Sequence, residues 1–174
     1  MPANQPTSAS QTSIIVIGLG NPVLGDDGVG WRVADEVEAA LGAARAAGRT
    51  MPAVRIERLG VGGLTLMETV SGYDAAIFID AAQFPGRPLG EVRSGPFSDL
   101  EGGGAGHLDS AHDVSLDSAL ELGRRLGADL PDRIDTVTIQ IEARDEFAEG
   151  LSPAVQASVP AAAAAVMKLL EATG

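Results

Sequence analysis

The chain has 174 residues, 45% of them apolar and only 3% aromatic, and a formal net charge of −12. Length and apolar content fit one domain with an aliphatic core. The acidic balance argues against a nucleic-acid partner, whose phosphates need Lys and Arg surface that is scarce here, and the absence of Cys excludes disulfides, thiolate metal sites and a cysteine nucleophile.

The opening Met1-Pro2-Ala3-Asn4-Gln5-Pro6-Thr7-Ser8 is polar and lacks the basic start and apolar run of a signal peptide. Residues 1–12 are expected to form a flexible tail ahead of a single α/β domain over 13–174, and the cytoplasm is the expected compartment. No run of about 18 uninterrupted apolar residues occurs, so no membrane span is predicted. Ser13-Ile14-Ile15-Val16-Ile17-Gly18 reads as a buried parallel strand, and Gly18-Leu19-Gly20-Asn21-Pro22 as the tight turn after it. Val29, Val33, Val37 and Leu41 recur every fourth residue, which predicts a helix over 28–46.

Val54 to Leu59 alternates as a strand, broken by Gly60-Val61-Gly62-Gly63 before a short helix through Leu64, Leu66, Met67 and Val70. Ala75 to Asp80 predicts a second buried strand, and Glu91-Val92-Arg93 a weaker one. The Gly-, Ser- and Asp-rich segment 94–111 reads as a long loop, of a length that in compact domains is usually functional or mobile. Leu116, Ala119, Leu120 and Leu126 mark a helix, and Asp135 to Ile141 alternates as the last strand. Ser152-Pro153 reads as a helix-capping pair, opening a helix with Val155, Val159, Val166, Leu169 and Leu170 that Pro160 should bend. The order βαβαββαβα predicts a three-layer α/β/α sandwich around a mostly parallel, roughly five-stranded sheet. Ligands in such folds bind beyond the carboxyl ends of the strands.

Three positions fall at that edge. Asp26 and Asp27 stand at the entry to the first helix, where an acid can cap backbone N–H groups; two adjacent acids exceed what one cap needs, so one of them is free to face a cleft. Asp80 closes an apolar run, and a carboxylate at a buried strand end requires a partner: a neighbouring loop or a ligand. His107 and His112 are the two histidines. His107 reads as a solvated loop residue. His112 precedes a helix start, a position that disfavours imidazolium and keeps the ring neutral for ligation, although a lone His there also fits a structural role. Two carboxylates and an imidazole from three loops would make an O,O,N site with open positions, suited to a first-row divalent ion and unlike a closed structural zinc site.

Other chemistries find no support. Gly18-Leu19-Gly20 begins like a dinucleotide fingerprint, but its third glycine would fall at Val23, and Asp26 and Asp27 would repel a pyrophosphate. No Gly-Lys-Ser/Thr triplet, Gly-x-Ser-x-Gly elbow or His-Glu-x-x-His helix occurs.

The stretch IIVIGLGNPVLGDDGVG, Ile14 to Gly30, resembles the opening of the hydrogenase maturation endopeptidases. The similarity continues through Gly62-Gly63, Gly72-Tyr73-Asp74, Ile79-Asp80-Ala81, Ser110-Ala111-His112 and Leu151-Ser152-Pro153-Ala154-Val155, so that it covers about residues 13–170. The resemblance implies a metal-binding triad of Asp27, Asp80 and His112, with Asp27 standing where relatives carry Glu or Asp. It implies a site that recognises nickel already inserted in the large-subunit precursor of a nickel–iron hydrogenase, followed by hydrolysis that releases a C-terminal extension. Asp26 and Asp80 are the candidates for activating water. The nickel would be carried by the substrate, the partner would be that precursor, and the protein would act as a monomer. Many relatives have an Asp before the glycines of the second βα turn, where this chain reads Arg58-Leu59-Gly60-Val61-Gly62-Gly63; Arg58 is there a candidate substrate contact.

Two rivals remain from other classes. Gly18 to Pro22 also looks like the start of peptidyl-tRNA hydrolases, but the Arg-His-Asn segment they need is replaced by Asp26-Asp27-Gly28-Val29-Gly30-Trp31. A non-catalytic nickel chaperone on the same scaffold would use the same ligand types.

Overall fold

The computed structural model describes residues 12–60, 62–99, 115–142 and 147–173. Five strands form one sheet in the order β2-β1-β3-β5-β4. They are β1 (Ser13–Leu19), β2 (Ala53–Leu59), β3 (Ala75–Ala82), β4 (Val92–Pro96) and β5 (Arg133–Gln140). The first three and β5 run parallel, and β4 lies antiparallel on the edge beside β5. The helices are α1 (Val29–Ala46), α2 (Gly63–Val70), α3 (Leu116–Leu126) and α4 (Pro153–Thr173). The α/β fold and the mostly parallel sheet read from the sequence are those found.

Side chains alternate across the sheet and divide the core in two. Ile14, Val16, Ile77, Ile79, Val137 and Ile139 face α1 and α4, meeting Val33, Val37, Val159 and Val166. Ile15, Ile17 and Phe78 face the other way, against Leu66 and Val70 of α2 and Leu116 and Leu120 of α3. Phe78 is the one aromatic among the largest fully buried side chains, so the core is aliphatic, as the composition requires. Among the described residues α4 alone is long and apolar enough to cross a membrane, but Val155, Val159, Ala162, Val166 and Leu170 are buried in the core. The helix continues through Pro160 to Thr173, with Pro160 on its exposed side.

Some boundaries differ from the sequence reading, each through strand pairing. β3 runs two residues past Asp80, because Ala81 and Ala82 pair with Ile139 and Gln140 of β5. Segment 94–111 is not loop from its start: Ser94, Gly95 and Pro96 pair with Val137, Thr136 and Asp135, and Phe97–Asp99 forms a 3₁₀ turn. Residues 100–111 of that segment lie outside the described residues, as do His107, His112 and residues 1–11 of the expected tail. The Ser152-Pro153 pair does open α4, but the Ser152 hydroxyl is buried without a hydrogen-bond partner among the described residues and does not cap the helix.

Candidate active site

The winding order places a crevice between β1 and β3. From β1 the chain crosses through α1 to β2 on one side, whereas β3 is followed by β4 and β5 on the other. Connections leaving two adjacent strands in opposite directions open the sheet edge between their carboxyl ends, the usual ligand site of such folds. Asp27 lies in the loop after β1, and Asp80 lies near the end of β3.

Glycines bring that loop down onto the strands. A Cβ on Gly18 would sit 2.4 Å from the Gly30 carbonyl oxygen, and one on Gly30 would sit 2.2 Å from the Leu19 carbonyl and 2.6 Å from that of Ile79. Gly20, at φ 135°, stands where a side chain would meet the Asp27 carbonyl at 2.0 Å. The start of α1 is therefore seated on the ends of β1 and β3, and the 3₁₀ turn Gly25–Gly28, which carries Asp26 and Asp27, touches β3. The Gly-x-Gly motif serves this close approach of helix to strand.

The N-cap position of α1 is Gly28, which has no side-chain cap. Asp27 Oδ2 accepts a hydrogen bond from the Asn21 N–H at 2.7 Å, closing the turn after β1. Buried Asp26 reaches across the fold, and its Oδ1 accepts from the Ser152 N–H at 2.6 Å, immediately before α4. It thus takes over the reach-back half of a capping box, in which a carboxylate satisfies the N–H preceding a helix. Both acids also line a cavity of about 340 Å³ with Gln83, Glu142 and Glu149. Four carboxylates around one cavity favour a cation or a cationic group and oppose an anion. Gln83, Glu142 and Glu149 escaped the sequence reading, although the carboxyl-edge rule could have pointed to them: Gln83 follows β3 and Glu142 follows β5.

Asp80 is 2% exposed. Its register with Thr138 of β5, and that of Thr138 with Arg93 of β4, places carboxylate, hydroxyl and guanidinium on one rung. Counted from Phe78, two residues earlier, that rung is on the α2/α3 face, and Asp80 does not line the 340 Å³ cavity. Asp27 and Asp80 thus flank the switch-point crevice from its two strands. No group of three metal-ligating side chains occurs among the described residues, and His112 is not among them.

Arg58, the candidate substrate contact, is engaged by acids of its own fold. Its guanidinium pairs with Asp35 at 2.7 Å and Glu38 at 2.6 Å, both on α1. The two carboxylates raise its pKa, against the opposing effect of burial, which is the largest single influence. Asp74 is held below the usual carboxylate range because the Ser13 N–H and hydroxyl donate to its Oδ2 at 2.7 and 2.8 Å.

Comparison with known proteins agrees with this architecture. The structure is similar to that of the hydrogenase maturating endopeptidase HybD from E. coli, with 24% identity, a TM-score of 0.73 and 94% of each chain covered. It is also similar to the [NiFe] hydrogenase maturation protease HybD from Thermococcus kodakarensis, with 24% identity, a TM-score of 0.66, and 91% of this chain and 99% of that one covered. A hydrogenase 2 maturation peptidase from a Thaumarchaeota archaeon matches at 25% identity and a TM-score of 0.60, over 91% of this chain and 98% of that one. No curated protein matches by sequence. The hydrogenase maturation protease family model matches residues 43–169, a span that holds Asp80 and His112 and begins after Asp27. With most of its length matched by that model, and a fold shared with solved maturation peptidases, the chain belongs to the hydrogenase maturation protease family and is a hydrolase of peptide bonds.

Proposed function

We propose that the protein recognises nickel already inserted in the large-subunit precursor of a nickel–iron hydrogenase and removes the precursor's C-terminal extension. What supports this reading is that Asp27 follows β1 and Asp80 lies within β3, the two adjacent parallel strands at the switch point, with Asp80 almost wholly buried. A carboxylate held at this edge of the sheet offers a hard oxygen ligand to a substrate-borne cation. His112, with the other two, would complete an O,O,N set able to meet an ion whose remaining positions the precursor fills.

Such a set holds the precursor at a fixed place relative to the enzyme, and positioning accounts for much of the advantage in a directed hydrolysis. Water attacks the scissile carbonyl carbon, the C–N bond breaks, and the leaving amine takes a proton. Asp26 already accepts the Ser152 amide, which assigns it to holding α4. Asp80, with two oxygens, is then the group to orient and deprotonate the water.

The test is to mix the full-length chain with nickel-loaded precursor and follow the precursor mass. Wild type should release the extension, whereas Asp27→Ala, Asp80→Ala and His112→Ala should each lower the rate by about 100-fold or more with circular dichroism unchanged. Full processing by all three variants defeats the triad. Binding of precursor by wild type without cleavage would mark a chaperone.

A further inference from the structure

Beyond the triad lies an unused polar group beside Asp80. Thr138 is 3% exposed, and its hydroxyl has no hydrogen-bond partner among the described residues. An unsatisfied buried hydroxyl is costly, and a Val of the same shape would avoid that cost. The neighbouring Thr136, two residues earlier on the same face, donates its hydroxyl to the Gly95 carbonyl at 3.3 Å. The orphan is thus particular to the rung of Asp80.

Thr138 lines a separate cavity of about 160 Å³ with Thr136, Arg93, Gly95 and Asp99. Arg93 stacks its guanidinium 5.0 Å from the Phe84 ring centroid, an arrangement that holds the head group while leaving its in-plane N–H donors available. A hydroxyl and a guanidinium sharing one cavity select an oxygen acceptor. Asp99, in the same lining, opposes a fully charged carboxylate and favours a neutral carbonyl.

Resting on the peptidase reading above, we propose that this cavity is a subsite for the precursor's main chain, in which Thr138 and Arg93 donate hydrogen bonds to one peptide carbonyl oxygen. The sheet order puts it on the β5–β4 side of Asp80, with the β1 loop of Asp27 on the opposite side. A peptide laid across Asp80 from the crevice would reach it, so the subsite aligns the chain flanking the scissile bond.

The experiment measures steady-state processing of nickel-loaded precursor by the full-length chain and its variants. Thr138→Val should lower kcat/KM by about 10-fold to 100-fold, with a melting temperature equal to or above that of wild type. Thr138→Ser should restore most of the rate, and Arg93→Gln, on an exposed edge strand, should raise KM while leaving the fold unchanged. Replacing any acidic residues that flank the cleavage site of the precursor by their amides should not alter the rate. Processing by Thr138→Val and Arg93→Gln at the wild-type rate overturns the subsite, and a rate that falls when those acids are neutralised overturns the carbonyl assignment. Wild-type cleavage with unaffected variants defeats the subsite alone, whereas wild type that leaves the precursor intact defeats the peptidase reading and this one with it.

Discussion

At the scale of single residues, the adjacent acids Asp26 and Asp27 have become different things. The sequence shows two equivalent carboxylates at a helix entry, but Asp26 is buried and bonded to the backbone ahead of α4, whereas Asp27 closes the turn at Asn21. Their division of labour can be measured. Asp26→Ala should cost about 1–2 kcal/mol, the usual loss for a helix-start acceptor, and Asp26→Asn, which keeps an acceptor oxygen, should cost less and still process precursor. Urea unfolding gives the first quantity and the mass assay the second; a stable Asp26→Asn protein without activity would return Asp26 to the chemistry. Ser152 teaches the complementary lesson. A Ser before a Pro looks like a cap in any sequence, but capping depends on where the hydroxyl points, which neighbouring letters do not encode.

At the scale of elements, periodicity predicted nearly everything, because the signals are local. Alternation marked β2 and β5, four-residue spacing marked α1, and the apolar runs marked β1 and β3. The ends were less legible, since Ala81, Ala82 and Ser94 to Pro96 are strand only through partners distant in sequence. The glycines of the first loop were visible as a motif; their physical purpose is the contact of α1 with β1 and β3. Gly30→Ala would drive a methyl into two carbonyl oxygens, at 2.2 and 2.6 Å, with backbone on both sides and nothing flexible to yield. The expected cost is about 3 kcal/mol or more, at the upper end of overpacking effects, and chemical denaturation would show it. A loss below about 1 kcal/mol would mean that the layers are not so close.

At the scale of the whole molecule, 24 acidic side chains against 12 basic ones make pH a global variable. Asp74 gives it a definite local sign, because its carboxylate ties the turn before β3 to Ser13 at the start of β1. Its folded pKa lies below the ordinary value of 3.8. The stabilisation is therefore present above the unfolded pKa and is lost as pH falls through the folded one. Asp74→Asn should melt below wild type near neutrality, and the gap should close as the pH is lowered below the ordinary carboxyl value of 3.8. A gap that stays constant with pH would remove the carboxylate from the account.

Composition and pattern by themselves determined an aliphatic α/β domain, its order of elements, and the acids available to its site, because burial periodicity and residue chemistry are written locally. Tertiary structure alone decided that Asp26 braces α4, that Arg58 is engaged by Asp35 and Glu38, and that Asp80, Thr138 and Arg93 share one rung. Those relations join residues from 20 to 126 positions apart. Only the register of the strands and the direction of winding bring such residues together.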